Sequence, residues 1–253
     1  MNRFKIFLVF FSIAILIGLI IIQTSLFSNK NHQLILNKLQ QIDHFSVIVN
    51  EQVLKVHQGI LRNYDGLINT IDQMRVLVTS LETEKLGLNQ LQPDGINYLQ
   101  LKLTKLSIST EHFLSVNSIL NNSLAYLPML IDEYTSRSGH QRQTTELVYQ
   151  LLEDTFLYVR WHETERKNNI EIIIEKLLAS SLLMEPEKAD LLRAIIRHSQ
   201  LINKYSDLVN NELNTILSIG ISQTITSARL QYMQLYSERQ QKITYLNWGI
   251  NFI

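Results

Sequence analysis

Apolar residues recur along most of the chain at the spacing of helix faces. One such face consists of Leu54, Ile60 or Leu61, Ile68, Ile71 and Leu77, which follow one another at combinations of three and four residues. A four-three rhythm that resembles a coiled-coil seam runs through Leu191, Ile195, His198, Ile202, Tyr205 and Val209. The pattern therefore predicts long helices, each packed through one apolar face.

Few residues interrupt this pattern, and each interruption predicts a helix boundary. Pro93-Asp94-Gly95 is typical of a turn, with Asp94 placed to cap a helix that begins near Ile96. Pro128 is expected to end or kink that helix, and residues 136–139 are expected to connect it to the next. Glu185-Pro186-Glu187 predicts a helix start, because a proline at the first helical position loses no useful hydrogen bond.

These boundaries divide the chain into four helical segments, at about 28–88, 96–134, 141–183 and 187–246. Strands are disfavoured because only 8 glycines and 3 prolines punctuate the sequence. The predicted fold class is all-α. It comprises an N-terminal transmembrane helix and then an elongated antiparallel bundle of about four long helices, arranged as one bundle or as two stacked bundles.

The run from Ile6 to Ile22 is apolar apart from Ser12 and Gly18 and predicts a membrane anchor over residues 6–26. Two basic residues precede the run, whereas the first one after it is Lys30. The positive-inside bias then leaves residues 1–5 in the cytoplasm and exports the rest of the chain. The alternative is a cleaved signal peptide, but the run is long for one and lacks a small-x-small exit.

Residues 28–245 are accordingly predicted to form an extracytoplasmic domain, in the periplasm of a bacterium whose inner membrane holds the single anchor. Export permits disulfides, yet the chain has no cysteine and must fold by packing alone. Residues 246–253 resemble an incomplete second membrane segment, in which Trp248 suits the interface. This ending suggests a truncated or split receptor whose output lies in a separate kinase or transmitter protein.

Composition and motifs give little support to catalysis, cofactors or nucleic acid binding. The 23 basic and 23 acidic residues balance, and no basic run of the nucleic-acid type occurs. Trp161-His162-Glu163 places a histidine beside a carboxylate, but Arg166 occupies the position where a zinc-protease helix needs its second histidine. No glycine-rich phosphate loop or serine elbow is present. We therefore expect neither an enzyme, nor a metal site, nor a bound cofactor.

Two polar clusters depart from simple amphipathic helices. In the first, Arg62 could bind an anion while Asn63, Tyr64 and Asp65 complete a polar pocket. If this cluster lies in a helix middle, its asparagine and Gly66 cost stability that some function should offset. The equally weighted alternative is a solvated surface with Tyr64 half-buried.

The second cluster follows on the next predicted helix and contains Asn117, Ser118, Asn121, Asn122 and Ser123. Asn117 and Asn121 are one helical turn apart and so share a face. Facing the bundle, these amides could form a ligand-binding layer or a network that sets helix register. Facing water, they are ordinary surface residues, and the sequence leaves both interpretations open.

At these two clusters the chain resembles the DAHL domain, a double all-helical ligand-binding module of bacterial sensor proteins that is usually found ahead of a histidine kinase. The resemblance covers most of the predicted exported region. An Asn-Tyr-Asp run is matched at residues 63–65, followed by apolar Leu67 and Ile68. A later pattern is matched by Phe113, Ser115, Asn117, Leu120, Asn122, Ser123 and Pro128, whereas Leu114 and Ser118 replace the family's lysine and alanine.

The resemblance implies an extracytoplasmic sensor that binds a small-molecule or protein signal and passes a helix shift of about 1–2 Å through the membrane. The replaced lysine puts a charge contact at position 114 in doubt. Dimerisation is plausible, because helical receptors commonly pair along their anchors. The predicted ligand-binding residues are Arg62, Asn63, Tyr64, Asp65, Ser115, Asn117, Asn121, Asn122 and Ser123.

Two other classes of protein fit parts of the pattern. A structural coiled-coil spacer or a helical hairpin of an envelope assembly would show an unbroken heptad register, and the polar layers at Asn63 and Asn117 argue against it. A four-helix chemoreceptor module would pair its helices without bringing these two side chains into a common pocket.

Overall fold

The computed structural model describes the backbone of residues 2–83, 94–138 and 142–250, and the side chains of 30–81, 97–137, 142–242 and 244–245. Helices form nearly all of the described backbone, and no strand occurs in it, so the all-α prediction is confirmed. In chain order the helices are α1 (Asn2–His57), α2 (Asp65–Thr83), α3 (Asp94–Ser138), α4 (Arg142–Trp161), α5 (Thr164–Ser181), α6 (Pro186–Ser218) and α7 (Ile221–Ile250).

The chain forms two compact units, each assembled from separate stretches of sequence. Unit 1 comprises residues 1–52, 65–105 and 220–253, and unit 2 comprises residues 53–64 and 106–219. The prediction of four unbroken segments is therefore too simple, because three of them are interrupted inside their predicted bounds.

The first interruption ends α1 at His57 and starts α2 at Asp65. Gly59 has a φ of 71° and donates its N–H to the carbonyl of Val56 at 3.0 Å, while the N–H of Ile60 reaches the carbonyl of Lys55 at 2.9 Å. This pair of bonds is a Schellman motif, which closes a helix through one left-handed residue. The predicted helix over 28–88 is thus wrong at this point, and the residues from Arg62 to Tyr64 lie in a connection that costs no helix propensity.

We expect Gly59→Ala to destabilise the protein by about 1 kcal/mol, because the left-handed conformation strains any side chain with a Cβ. Space is not the cause, since nothing lies within 4 Å of a Cβ built at Gly59. A thermal unfolding midpoint lower by a few degrees would report this cost. Gly66→Ala is the control: this helical glycine would bring its Cβ only to 3.5 Å from Gln52 Nε2, so an equal loss there would contradict the backbone explanation.

The remaining boundaries follow the sequence in part. Glu185 is the N-cap residue of α6, without a side-chain capping hydrogen bond, and Pro186 stands in the first turn, so the predicted helix start is confirmed. Pro128 lies inside α3, which continues to Ser138, so of the two predicted outcomes a helix end is excluded and a kink stays a prediction. A proline removes one backbone hydrogen bond, and buried neighbours such as Leu127 and Ile131 keep the helix packed on both sides of it.

The predicted apolar faces are correct in part on α6 and displaced near the first interruption. On α6, Ile195, Ile202 and Val209 are fully buried, whereas Leu191, His198 and Tyr205 are half-buried. Leu54 and Ile60 are 39% and 68% exposed, because the connection after His57 breaks the helical phase assumed for them. The buried face there consists of Val53, Val56, Leu67, Ile71, Met74 and Val78.

Unit 1 packs parts of α1, α2, α3 and α7. The His32 ring stacks on Tyr236 with 3.7 Å between ring centroids, and its Nδ1 lies 3.2 Å from the hydroxyl of Tyr232. Ser46 and Ser222 share a hydrogen bond of 2.8 Å, so α1 and α7 are joined at two levels.

The predicted membrane segments fall where side chains are not described. Residues 6–26 and 246–253 both lie outside the described side chains, and the prediction of an anchor stays a prediction. Among the residues that were searched, no helix has the length and hydropathy to cross a bilayer.

Candidate functional site

Within unit 2, α3 and α6 run antiparallel in constant register. Their contacts join His112 to Glu212 at 2.8 Å, the Tyr126 ring to the His198 ring, and Arg137 to Glu187. From the first contact to the second, α3 advances by fourteen residues and α6 runs back by fourteen. From the second contact to the third, each helix covers eleven residues. Asn117, five residues after His112, is therefore level with Asp207, five residues before Glu212.

The α4–α5 turn reaches this same level. His162 stands in the turn with a φ of 52°, a left-handed conformation that costs about 1–2 kcal/mol in a residue other than glycine. Its N–H caps α4 by donating to the carbonyl of Tyr158 at 2.8 Å. Strain of this kind persists only where the surrounding contacts hold the residue in place, and such residues cluster at binding sites.

The contacts that hold His162 come from α6. Its Nε2 accepts a hydrogen bond from Asn210 Nδ2 at 2.5 Å and lies 2.8 Å from the hydroxyl of Ser206, which is itself buried. His162 therefore fixes the α4–α5 turn against α6 through its Nε2.

Asp207 forms the charged centre of the same level. It accepts hydrogen bonds from the hydroxyl of Tyr158 and, at 2.8 Å, from Lys167 Nζ. Burial acts to raise the pKa of Asp207, but the hydrogen bonds from Lys167 and Tyr158 outweigh it and hold that pKa below its ordinary value. Burial, reinforced by the bond to Asp207, raises the pKa of the Tyr158 hydroxyl. Near neutral pH the Asp207 carboxyl group is therefore ionised, and the Tyr158 hydroxyl keeps its proton.

A second ion pair joins α4 to α5 just below the turn. The carboxylate of Asp154, whose side chain is 3% exposed, accepts from Arg166 at 2.6 Å. Arg166 is the residue that occupies the place of a second zinc ligand in the sequence. Its role here is to neutralise a buried carboxylate, and among the residues searched no group of three or more His, Asp or Glu could hold a metal ion.

The interior around this level contains polar atoms whose hydrogen bonds are not made. We call four such residues the polar seam. Each carries a buried side-chain nitrogen or oxygen that has no partner within the described part of the chain. The polar seam comprises Asn117 on α3, Thr155 on α4, and Ser199 and Asn203 on α6; atoms of the same kind occur outside it at Asn31, Gln52, His57, Thr110 and His198.

These four residues lie close together along the helix axes. Asn117 is level with Asp207, Thr155 precedes Tyr158 by about one turn, and Ser199 and Asn203 precede Asp207 by about two turns and one turn. The seam therefore extends over about 12 Å. A buried polar atom without a partner costs about 1–3 kcal/mol, so such a concentration requires compensation from water or from a ligand.

The structure separates the predicted ligand-binding residues by burial. Asn117 and Ser123 are 1% and 3% exposed and face the interior of unit 2. Tyr64 is half-buried. The others are exposed: Arg62, Asn63, Asp65, Ser115, Asn121 and Asn122.

Asn117 is buried and Asn121 is exposed, so the prediction that they share one face is wrong. Four residues rotate by slightly more than one full helical turn, and this excess places Asn121 beyond the boundary of the buried face. Asp65 belongs to unit 1, whereas Arg62, Asn63 and Tyr64 belong to unit 2. Ligand binding by all of these residues stays a prediction.

Sequence reasoning missed the half of the site that α4, α5 and α6 supply. Tyr158, Lys167 and Asp207 come from three helices and His162 from the turn between two of them, and no short motif connects the four. The available signal was Trp161-His162-Glu163, where two polar residues interrupt an amphipathic pattern. The sequence interpretation of this triplet covers only a metal motif, whereas His162 acts as a hydrogen-bond acceptor at a helix end.

Comparison with known protein families identifies the chain. The DAHL domain family matches residues 28–247. The protein belongs to the DAHL domain family. No curated protein matches it. Membership of this family indicates a helical sensor domain.

In this DAHL domain the residues that carry the resemblance have different structural roles. Phe113 and Leu120 are buried core residues of α3, and Asn117 lies between them on the same side of the helix. Asn63 belongs to the connection after α1, in the part of unit 2 that also contains His57. His57 is close enough to His162 for its pKa to respond to the charge on that ring. The connection, the α4–α5 turn and Asn117 thus belong to one region of unit 2.

We expect this DAHL domain to lose stability as the pH falls below about 6.5. Burial, reinforced by the nearby His162, lowers the pKa of His57 from its ordinary value of 6.5. The unfolded chain therefore binds the proton more readily than the folded one, so the stabilisation is complete above pH 6.5 and declines towards the lowered folded pKa.

Unfolding midpoints at pH 7.5 and pH 5 would measure this effect, and His57→Gln should reduce the difference between them. It should not abolish the difference, because burial also lowers the pKa of His32 in unit 1. An undiminished pH dependence in His57→Gln would contradict the assignment to His57.

Proposed function

We propose that the chain is the ligand-sensing domain of a bacterial signal-transduction receptor, and that unit 2 binds the signal at the polar seam. Family membership supports a helical sensor domain. The observation that carries the proposal further is Asn117, a residue of the family pattern that is 1% exposed with an amide nitrogen lacking a partner in the described chain. A bound molecule would complete the hydrogen bonds that this interior leaves unmade.

The arrangement of the seam also supports a means of transmission. Its residues lie on α3, α4 and α6, so a single ligand that binds them contacts three helices at once. A shift of about 1–2 Å in one helix relative to the others is a known response of helical sensors. Such a sensor needs no catalytic group of its own, and the proposal assigns none.

The location and partners in this proposal rest on the sequence. The segment 6–26, with its apolar run from Ile6 to Ile22, anchors the chain in the bacterial inner membrane, with the N-terminus in the cytoplasm and residues 28–245 in the periplasm. The partners are the membrane, a small-molecule or protein signal, a second copy of the chain, and a kinase or other transmitter in the same protein or a separate one.

A thermal-shift screen of the full chain in detergent against a metabolite library tests the proposal. A compound present at one hundred times its Kd stabilises the folded state by about 2.7 kcal/mol, which is a shift of several degrees. We expect at least one compound to raise the midpoint of the wild type and to have no effect on Asn117→Leu. Hits that shift both proteins equally would place binding elsewhere, and a screen without hits would contradict ligand sensing.

A further inference from the structure

A groove between α5 and α6 is lined in part by one residue of the polar seam. It has a volume of about 710 Å³, within the range of about 300–1,000 Å³ typical of small-molecule sites. Asn203 of the polar seam lines it, as do Lys167 and Asp207. The groove and the proposed sensing site therefore share Asn203.

The acidic and basic residues that line this groove do not balance once its one ion pair is set aside. Lys167 and Asp207 neutralise each other at 2.8 Å. Glu171 and Glu175 then line the α5 side, and neither has an ion pair within the described part of the chain. On the α6 side Lys204 is the remaining cation, and its Nζ lies 5.5 Å from the ring centroid of Tyr205. The groove is left with one net negative charge.

The unused acceptors lie at matching levels. Because α5 and α6 form an antiparallel hairpin with Lys167 beside Asp207, one turn along α5 brings Glu171 level with Asn203. Asn203 Oδ1 is buried and has no partner among the described residues. Glu175 follows Glu171 by one turn, at which spacing two Cβ atoms are about 5–6 Å apart. Three acceptor groups, the carboxylates of Glu171 and Glu175 at the groove surface and the buried amide oxygen of Asn203, are thus left for a ligand that carries hydrogen-bond donors.

Apolar side chains complete the groove. Ile174 and Leu178 lie on the α5 side and Leu208 lies on the α6 side. They offer a surface to a short hydrocarbon chain, and the two glutamates are spaced to meet a positive charge at each of its ends. From this geometry we infer that the groove binds a short linear aliphatic diamine, with one ammonium group between Glu171 and Asn203 and the other at Glu175.

This inference rests on the proposed function, because it names the ligand class of the same sensing domain. Titration calorimetry of the full chain in detergent with 1,4-diaminobutane tests it. We expect saturable binding that Glu171→Gln weakens at least tenfold, since it removes a charge-assisted hydrogen bond. The matched control is Glu165→Gln, in the first turn of α5 and not part of the groove, which should bind as the wild type does.

The neutral isostere 1,4-butanediol separates recognition of charge from adventitious contact. Binding of the diol as tight as that of the diamine, or an unchanged affinity in Glu171→Gln, would overturn the inference. Failure of the diamine alongside another compound that shifts the wild type and not Asn117→Leu would overturn the ligand class and leave the sensing proposal standing. Failure of every compound would overturn both.

Discussion

Replacing Phe113 by alanine is expected to lower the free energy of unfolding by about 3–5 kcal/mol. The ring is completely buried in the α3 face of unit 2, so its removal leaves a cavity that the packed neighbours cannot fill. For a chain of this size the loss corresponds to a fall in the unfolding midpoint of about 10 °C. Circular dichroism at 222 nm would follow it, because the described chain is nearly all helix.

Phe156 on α4 provides the matched control for this prediction. Its side chain is 42% exposed, so Phe156→Ala removes the same atoms from a site that is partly in water. We expect the control to lose well under half as much stability. Equal losses in the two variants would show that Phe113 contributes no more than an ordinary half-buried ring, contrary to its place in the core.

Asn117→Leu is expected to stabilise the ligand-free protein by about 1–2 kcal/mol while abolishing its response to ligand. The amide nitrogen of Asn117 is buried without a partner in the described chain, and an apolar side chain of similar size avoids the cost of desolvating it. A gain in stability combined with a loss of binding is what a site maintained for function predicts. Thermal unfolding with and without a hit from the screen measures both effects.

Asn211→Leu is the control for a general effect of adding apolar surface, because Asn211 is exposed on α6. It should change neither the midpoint nor the ligand response beyond about 0.5 kcal/mol. If Asn117→Leu instead destabilised the ligand-free protein by 1 kcal/mol or more, the amide would be part of the structural core, and the polar seam would lose its principal member.

The helical fold was predictable because it follows from local patterns. The apolar rhythm of α6 placed Ile195, Ile202 and Val209 correctly in the core, and Glu185-Pro186 marked the start of that helix through a backbone rule. The helix end at Gly59 was missed although glycine is the usual residue for it. A single glycine among polar residues is a weak signal when apolar spacing continues on both sides.

Only the part of the site that lies on a single helix could be predicted from the sequence. The family pattern on α3 led to Asn117, which is buried, and equally to Asn122, which is exposed, while the helical spacing added Asn121, which is exposed as well. The sequence spacing alone could not separate them, because the edge of a buried face depends on what packs against it. Asp207 and Lys167 come together only through the α5–α6 hairpin, so their pairing depends on tertiary structure.

Hydrogen–deuterium exchange of the full chain, with and without a compound that passes the screen, is the decisive measurement of ligand binding in unit 2. We expect the bound compound to slow exchange at three segments of that unit: residues 113–120 on α3, 158–167 around the α4–α5 turn, and 199–210 on α6. These segments contain three of the four polar-seam residues, Asn117, Ser199 and Asn203, and the residues that hold His162 and Asp207. Protection confined to unit 1, or a bound ligand that protects none of the three segments, would contradict ligand binding in unit 2.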